Sequence, residues 1–408
     1  MDPHEENASI LPDSIGNYDV SVIEHKPSTG LSFPFLDGLR GIAILLVVAH
    51  HCLYLPPSNG VGGYVMAMLQ AGRLGVAIFF VMSGFLMGLI VFRPNVKFDG
   101  FGFALRRAGK ILPPFLLSVI LSSGLWITYN NPSGLIKQCI LYITTLASFF
   151  PIAANINDVY WSLLVEIHFY ICLPIVYLAI LRISRFPGNW TCLSMFSVPI
   201  ALRTIHYLIN YSNLHGWSGF TVDFPHRADA FSLGLVFSCL FYQYKGSPFL
   251  ARHAQKFSII GVFIGVVTFL AYGMTFHIQS LGALHYEALF LEAAYLFAEI
   301  STFLVLFLVF ADNSFLSSVL SNRILGLVGI VSYEWYLFHF PIANWIRHMQ
   351  FIGSGTVTSY IVKIGLPIFV GFAFSAFVYF FFSSPILGRI KIYLDKRKTK
   401  SNSPGLSC

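Results

Sequence analysis

The sequence predicts an all-α, polytopic integral membrane protein with about ten transmembrane helices. Three observations point there: an extreme apolar composition, ten apolar stretches long enough to span a bilayer, and a one-sided distribution of basic residues. Of 408 residues, 56% are hydrophobic, only 11% are charged and 41 are Phe. The mean hydropathy is +0.71. Soluble domains carry about 25% charged residues and have no interior large enough to hide this much apolar surface. The net charge of +7 does not point to nucleic acid, because the basic residues flank apolar runs and build no separate basic domain. The six Cys residues are scattered without paired metal-ligand spacing, so they read as structural thiols and no metal is expected. Cys408, the last residue, does not form a prenylation box.

About 20 apolar residues cross a bilayer as a helix. Ten stretches qualify: 37–55, 74–92, 111–129, 160–181, 191–210, 228–244, 257–276, 288–311, 324–346 and 360–382. Residues 136–151 are apolar but short, and are expected at the interface. Residues 1–35 are polar and acidic, with no apolar core or small-residue cleavage site of a signal peptide. They are expected to form a disordered cytoplasmic tail before a transmembrane domain at 36–385, which a basic cytoplasmic tail follows at 386–408. Ten spans put both termini on one side. That side carries eighteen Lys and Arg, against three (Arg73, Lys137 and Arg347) in the opposite loops, with Arg227 at a boundary. The bias assigns both termini to the cytoplasm, with the plasma (inner) membrane as the expected location. Trp126, Tyr129, Tyr160, Trp161 and Trp345 then fall near the outer interface, where aromatic belts sit.

Ionisable groups inside spans are costly, and each is a functional candidate. In "FPFLDGLRGIAILLVVAHH", residues 33–51, Arg40 lies at the inner mouth of the first span and His51 roughly 16 Å further out. Eleven steps of a helix return His51 to within about 20° of the Arg40 face, whereas His50 is rotated about 80° away. The fourth span opens with "WSLLVEIHFY", residues 161–170, which sets Glu166 roughly 9 Å below the outer edge, the depth expected for His51. A carboxylate and an imidazole at matched depth form a general-base pair, the carboxylate fixing the ring tautomer. The second span carries "GVAIFFVMSGFL", residues 75–86, with Ser83 and the close-packing Gly84. The ninth carries "SYEWYLFHFP", residues 332–341, with Ser332, Tyr336 and His339 on one helix face. At the inner side, "RRAGKILPPF", residues 106–115, offers Arg106, Arg107 and Lys110 as a phosphate-binding set with Arg40, beside the plainer reading of topogenic charges. Arg203 and Glu299, both mid-span, read as a structural ion pair.

These stretches, together with "HRADAFSLG" at 226–234, occur in an order that resembles the acyltransferase 3 family of integral membrane O-acyltransferases, over roughly residues 33–385. The resemblance implies transfer of an acyl group, with acetyl-CoA as the expected donor, from cytoplasmic acyl-CoA to an acceptor hydroxyl, usually on a surface or lipid-linked carbohydrate and in some members on a macrolide or other small molecule. It aligns Arg40 and His51 with the family's Arg/His pair, Glu166 with the glutamate of "WSLxxE", and Arg106 and Lys110 with its basic cluster, Lys standing where Arg is usual. Tyr336 and His339 align with "YLxH", and Arg227 with the Arg before the sixth span. Ala77 and Ile167 stand where many members carry carboxylates. The fused esterase-like (SGNH-type) domain of some members is not expected after the tenth span.

The resulting expectation is that Arg40, Arg106, Arg107 and Lys110 hold the phosphates of acyl-CoA. His51, oriented by Glu166, acts as general base. Ser83, Tyr336 or His339 donates to the developing oxyanion. Covalent acylation of His51 is the alternative chemical route. A proton-coupled carrier or flippase, or an inactive protein keeping the same fold, are the rival readings.

Overall fold

The computed structural model describes residues 33–53, 61–128, 130, 133–148, 156–183, 189–210, 224–280, 287–311, 314–349 and 357–402. The expected N-terminal tail therefore lies almost entirely outside the described residues. The described residues are helical and contain no strand. The first five helices are α1 (Pro34–Cys52), α2 (Val61–Gln70), α3 (Gly75–Val91), α4 (Gly100–Ile127) and the short α5 (Leu135–Ile143). There follow α6 (Tyr160–Ile183), α7 (Asn189–Asn210), α8 (Phe224–Tyr244), α9 (Pro248–Ser280) and α10 (Glu287–Val305). The last five are α11 (Phe315–Leu320), α12 (Arg323–Ile330), α13 (Ser332–His348), α14 (Val357–Val378) and α15 (Ser384–Asn402).

Every one of the ten expected spans coincides with helix, and 7 stretches among the described residues are long and apolar enough to cross a membrane. The protein is a polytopic, all-α integral membrane protein, as its backbone requires: only intra-helical hydrogen bonds satisfy N–H and C=O groups where lipid offers none. Local signals set the helix ends. Pro34 occupies the first turn of α1, where its missing N–H costs nothing, and Asp37 places negative charge at the same end. Asp99 caps α4, its side chain accepting from the Gly102 N–H at 2.9 Å.

One expected span is not a single helix. The stretch 324–346 breaks at Val331 into α12 and α13. The break lets α12 lie flat against the first half of α1: a Cβ on Gly329 would stand 1.8 Å from the Asp37 carbonyl oxygen, so only glycine permits that approach. The stretch after the last expected span also differs from a simple tail, since α14 continues through a π turn at Tyr379–Ser383 into α15, helical to Asn402. Tyr160, expected near the interface, turns its fully buried ring into the bundle, where its hydroxyl bonds Ser118 at 2.8 Å.

α1 is the hub of the bundle, touching α3, α11, α12, α13 and α14. α3 lies against α8 at a reciprocal glycine crossing: a Cβ on Gly84 would stand 2.1 Å from the Phe231 carbonyl oxygen, and one on Gly234 the same distance from that of Val81. α13 packs on α4 and α14, and α9 on α10 and α2. The four described sites Cys52, Cys139, Cys172 and Cys239 are free thiols.

Candidate active site

A cleft opens between α1, α3, α4, α6 and α13. Its cationic end is made by Arg40, Arg107 and Lys110. Arg40 is held by an ion pair to Asp37 at 3.1 Å, one helical turn earlier, and remains partly exposed. The Arg107 guanidinium stands 5.3 Å from the centre of the Tyr170 ring. Arg106 does not line the cleft. One residue along α4 is a rotation of about 100°, which carries Arg106 to the side of the helix beside the Asp99 cap.

Midway along the wall, Ser83 and Glu166 meet. The Ser83 hydroxyl donates to Glu166 Oε1 at 2.9 Å and lies 2.8 Å from the Tyr170 hydroxyl. Tyr170, one turn along α6 from Glu166, also donates to the same carboxylate. At the far end of the cleft the Tyr336 hydroxyl bonds Ser162 and the Val159 carbonyl oxygen. The Phe79 ring closes the same wall, 6.3 Å from that of Tyr336.

Beyond Tyr336 lies a pair of imidazoles. His51 Nδ1 is 3.0 Å from His339 Nε2, and His339 Nδ1 is 2.9 Å from the Trp335 carbonyl oxygen one turn earlier in α13. His339 is fully buried. The rings of His51 and His339 are 5.1 Å apart, and that of Tyr336 is 5.9 Å from His339. Arg347 donates to the His51 carbonyl and pins the end of α1. His50 points elsewhere: its ring stands edge-on to His51, with centroids 4.6 Å apart.

The expected contact between Glu166 and His51 is therefore not formed. α6 and α13 are antiparallel, with Ser162 beside Tyr336 and Glu166 in the same wall as Ser332 and Tyr333. Four residues on α6 and three on α13 then separate Glu166 from the imidazole pair by roughly 10 Å along the bundle. The expectation of matched depth rested on span edges, each uncertain by several residues at about 1.5 Å apiece. The candidate oxyanion donors are likewise engaged: Ser83 with Glu166, Tyr336 with Val159, and His339 between His51 and Trp335.

Sequence reasoning missed Asp37, Ser162, Tyr170 and the Trp335 carbonyl. Asp37–Arg40 and Glu166–Tyr170 carry the i,i+3 and i,i+4 spacing of helical neighbours, a signal available in the sequence. The expected Arg203–Glu299 pair exists, at 3.5 Å, but as the longest contact of a larger buried network. Arg203 also pairs with Asp229, and with Glu292 at 2.7 Å, and Arg227 reaches Glu292 at 3.2 Å. The Arg227 guanidinium lies 3.9 Å from the centre of the Tyr295 ring.

These features define a helical membrane protein whose cation-mouthed cleft runs toward an imidazole pair, His339 buried and His51 partly exposed. The chain belongs to the acyltransferase 3 family, whose sequence profile, described as an acyltransferase domain, matches residues 33–388. Curated relatives match over most of this chain. "Putative O-acetyltransferase SACOL0978" of Staphylococcus aureus (strain COL) is 24% identical over 358 residues, covering 82% of this chain and 54% of the relative. "Putative peptidoglycan O-acetyltransferase YrhL" of Bacillus subtilis (strain 168) is 24% identical over 373 residues, covering 83% and 53%. "O-acetyltransferase OatA" of Staphylococcus aureus (strain NCTC 8325 / PS 47) is 23% identical over 351 residues, covering 81% and 54%. The chain thus spans about half the length of these relatives. No solved structure matches.

Proposed function

We propose that this protein is an acyl-CoA-dependent O-acyltransferase that takes an acetyl group from cytoplasmic acetyl-CoA and delivers it to a carbohydrate hydroxyl arriving from the opposite face of the plasma membrane. The observation that carries this reading is the cleft itself. It gathers three cations at one end and stops at Tyr336, against which His339 and then His51 are packed. The basic-residue bias assigns the Arg40 end to the cytoplasm. Arginine forks and a lysine suit the phosphates of the nucleotide. The donor's arm lies along the Ser83–Glu166–Tyr170 wall, whose hydroxyls and carboxylate match its amides, and its thioester reaches the level of Ser162 and Tyr336. The names of the relatives, "O-acetyltransferase OatA" and "Putative peptidoglycan O-acetyltransferase YrhL", support acetyl as the group and a glycan as the acceptor.

In this reading His51 takes the proton from the acceptor hydroxyl as its oxygen attacks the thioester carbonyl. The tetrahedral intermediate collapses, the C–S bond breaks, and CoA leaves as a thiolate that is protonated in the cytoplasm, while His51 releases the proton it took to water and returns to its neutral form. The ester stays on the acceptor. The test uses the purified full chain in lipid nanodiscs with acetyl-CoA and chito-oligosaccharide acceptors. Free CoA thiol is followed with a thiol reagent, and acceptor mass by spectrometry. The expected result is acceptor-dependent thiol release with a gain of one acetyl unit, abolished in His51→Ala. Turnover that survives His51→Ala in folded protein sinks the general-base role. Failure to bind acetyl-CoA, combined with saturable uptake of an oligosaccharide into sealed vesicles, makes the protein a carrier instead.

A further inference from the structure

The imidazole pair has a chemical polarity that follows from its partners. A carbonyl oxygen only accepts hydrogen bonds, so the His339 nitrogen 2.9 Å from the Trp335 carbonyl, Nδ1, is the one that bears hydrogen. In a neutral ring the other nitrogen, Nε2, is then an acceptor. It lies 3.0 Å from His51 Nδ1, and the Val47 carbonyl oxygen one turn earlier in α1 also accepts from the His51 ring, so both partners call for the hydrogen on Nδ1, the nitrogen that reaches the i−4 carbonyl in His339 as well. His51 Nε2 is left with a bare lone pair. No carboxylate among the described residues bonds either ring, and His339 is fully buried. A second proton on His339 would therefore place an uncompensated charge in the interior.

We infer that His339, fixed by the Trp335 carbonyl, is the positioning residue that locks His51 in the tautomer with an unprotonated Nε2, the atom that accepts the proton of the acceptor hydroxyl. This deepens the reading of His51 as general base and rests on it. It assigns to an imidazole the orienting task that a carboxylate performs in serine-hydrolase triads, where the wrong tautomer costs about 10⁴-fold in kcat. It also removes His339 from the set of oxyanion donors, because both of its nitrogens are already committed.

The arrangement makes the two polar residues of α13 distinct in kind. Tyr336 is a wall of the cleft, with its hydroxyl tied to Ser162 and Val159. His339 lies one turn further along and acts only through His51. It packs behind Tyr336 and does not itself line the cleft, so changing it should alter turnover and leave donor affinity alone.

Two substitutions and one spectroscopic measurement test this on the full chain in nanodiscs. His339→Leu removes the acceptor; kcat should fall by about 10²- to 10⁴-fold with the KM for acetyl-CoA unchanged. His339→Gln can present Oε1 near the position of Nε2 and should restore at least a tenfold part of that loss. The ¹⁵N resonances of His51, assigned by subtracting the spectrum of His51→Ala, should show hydrogen on Nδ1 and none on Nε2 in the unmodified protein. They should show a mixture of tautomers in His339→Leu. A His51 ring protonated at Nε2 in the unmodified protein overturns the inference, as does full kcat in folded His339→Leu. If His339→Leu fails to fold, the spectrum of the unmodified protein and the kinetics of His339→Gln decide alone. If His51→Ala is itself active, the general-base reading fails, whatever tautomer the spectrum shows.

Discussion

Replacing Glu166 by Gln separates a carboxylate that orients the base from one that lines the donor's path. Were Glu166 hydrogen-bonded to His51, its loss would misorient the imidazole and cost kcat about 10⁴-fold. In the structure it bonds Ser83 and Tyr170 and stands roughly 10 Å below the imidazole pair. At that distance its charge acts on a developing imidazolium with about 1.7 kcal/mol at an effective dielectric of about 20. That corresponds to less than about 20-fold in rate. The amide keeps an acceptor for Ser83 and Tyr170 but turns charge-assisted bonds into neutral ones, weaker by about 1 kcal/mol each. A modest loss of thermal stability should follow, so rates must be normalised to folded protein. The cleft wall is altered directly, and the KM for acetyl-CoA should rise several-fold. Thiol release with varied acetyl-CoA at fixed acceptor reads both quantities. A drop in kcat beyond about 10³-fold with unchanged KM would refute the separation of the two layers and return Glu166 to the imidazole.

Arg40→Ala removes one of three cations at the cleft mouth and should raise the KM for acetyl-CoA by about tenfold or more, the worth of a charge-assisted contact, while acceptor KM stays constant; equal loss of both would mark Arg40 as structural. Tyr336→Phe should lower stability by about 1 kcal/mol and leave kcat within a few-fold, because its hydroxyl is engaged by Val159; a fall of about 10²- to 10³-fold would instead make it an oxyanion donor. Glu292→Ala strips the carboxylate shared by Arg203 and Arg227, and should destabilise the bundle by about 3–5 kcal/mol in a detergent melting assay without changing kcat per folded molecule; an unchanged melting temperature would show that the network carries no stability.

The helices and the identity of most polar cleft residues were legible because polar groups in an apolar run stand out against their cost. Arg40, Ser83, Arg107, Lys110, Glu166 and Tyr336 come from five different helices, yet all line one cleft. Nothing in their spacing within the chain brings them together; the bundle does. What was not legible is register between helices. Placing Glu166 opposite His51 required the relative height of α6 and α1, and an error of six or seven residues in span edges is enough to move a contact by roughly 10 Å. Arg106 failed for a finer reason, since adjacent residues on a helix point about 100° apart and a run of basic residues cannot all face one cavity. The break at Val331 was hidden because α12 and α13 are both apolar. Only the close approach of Gly329 to the α1 backbone separates them.

Register also explains why an imidazole, not a carboxylate, meets His51. α1 and α13 converge at their C-terminal ends, where Arg347 of α13 holds the His51 carbonyl of α1 and His339 faces His51. α6 contributes its carboxylate roughly 10 Å away along the bundle, midway along the wall with Ser83 and Tyr170. A full negative charge beside His51 would stabilise its protonated form before substrate arrived, whereas a neutral ring fixes the tautomer and adds no charge to the buried layer. The two positions where the resemblance to the family implies a carboxylate in many members agree with that economy of charge. Ala77 sits in an apolar cluster with Tyr272, Ala294 and Tyr295, and Ile167 follows Glu166 on a half-buried face of α6. Among the described residues that line the cleft, Glu166 is thus the one acid, opposite three cations, and neither imidazole beyond Tyr336 is hydrogen-bonded to a carboxylate.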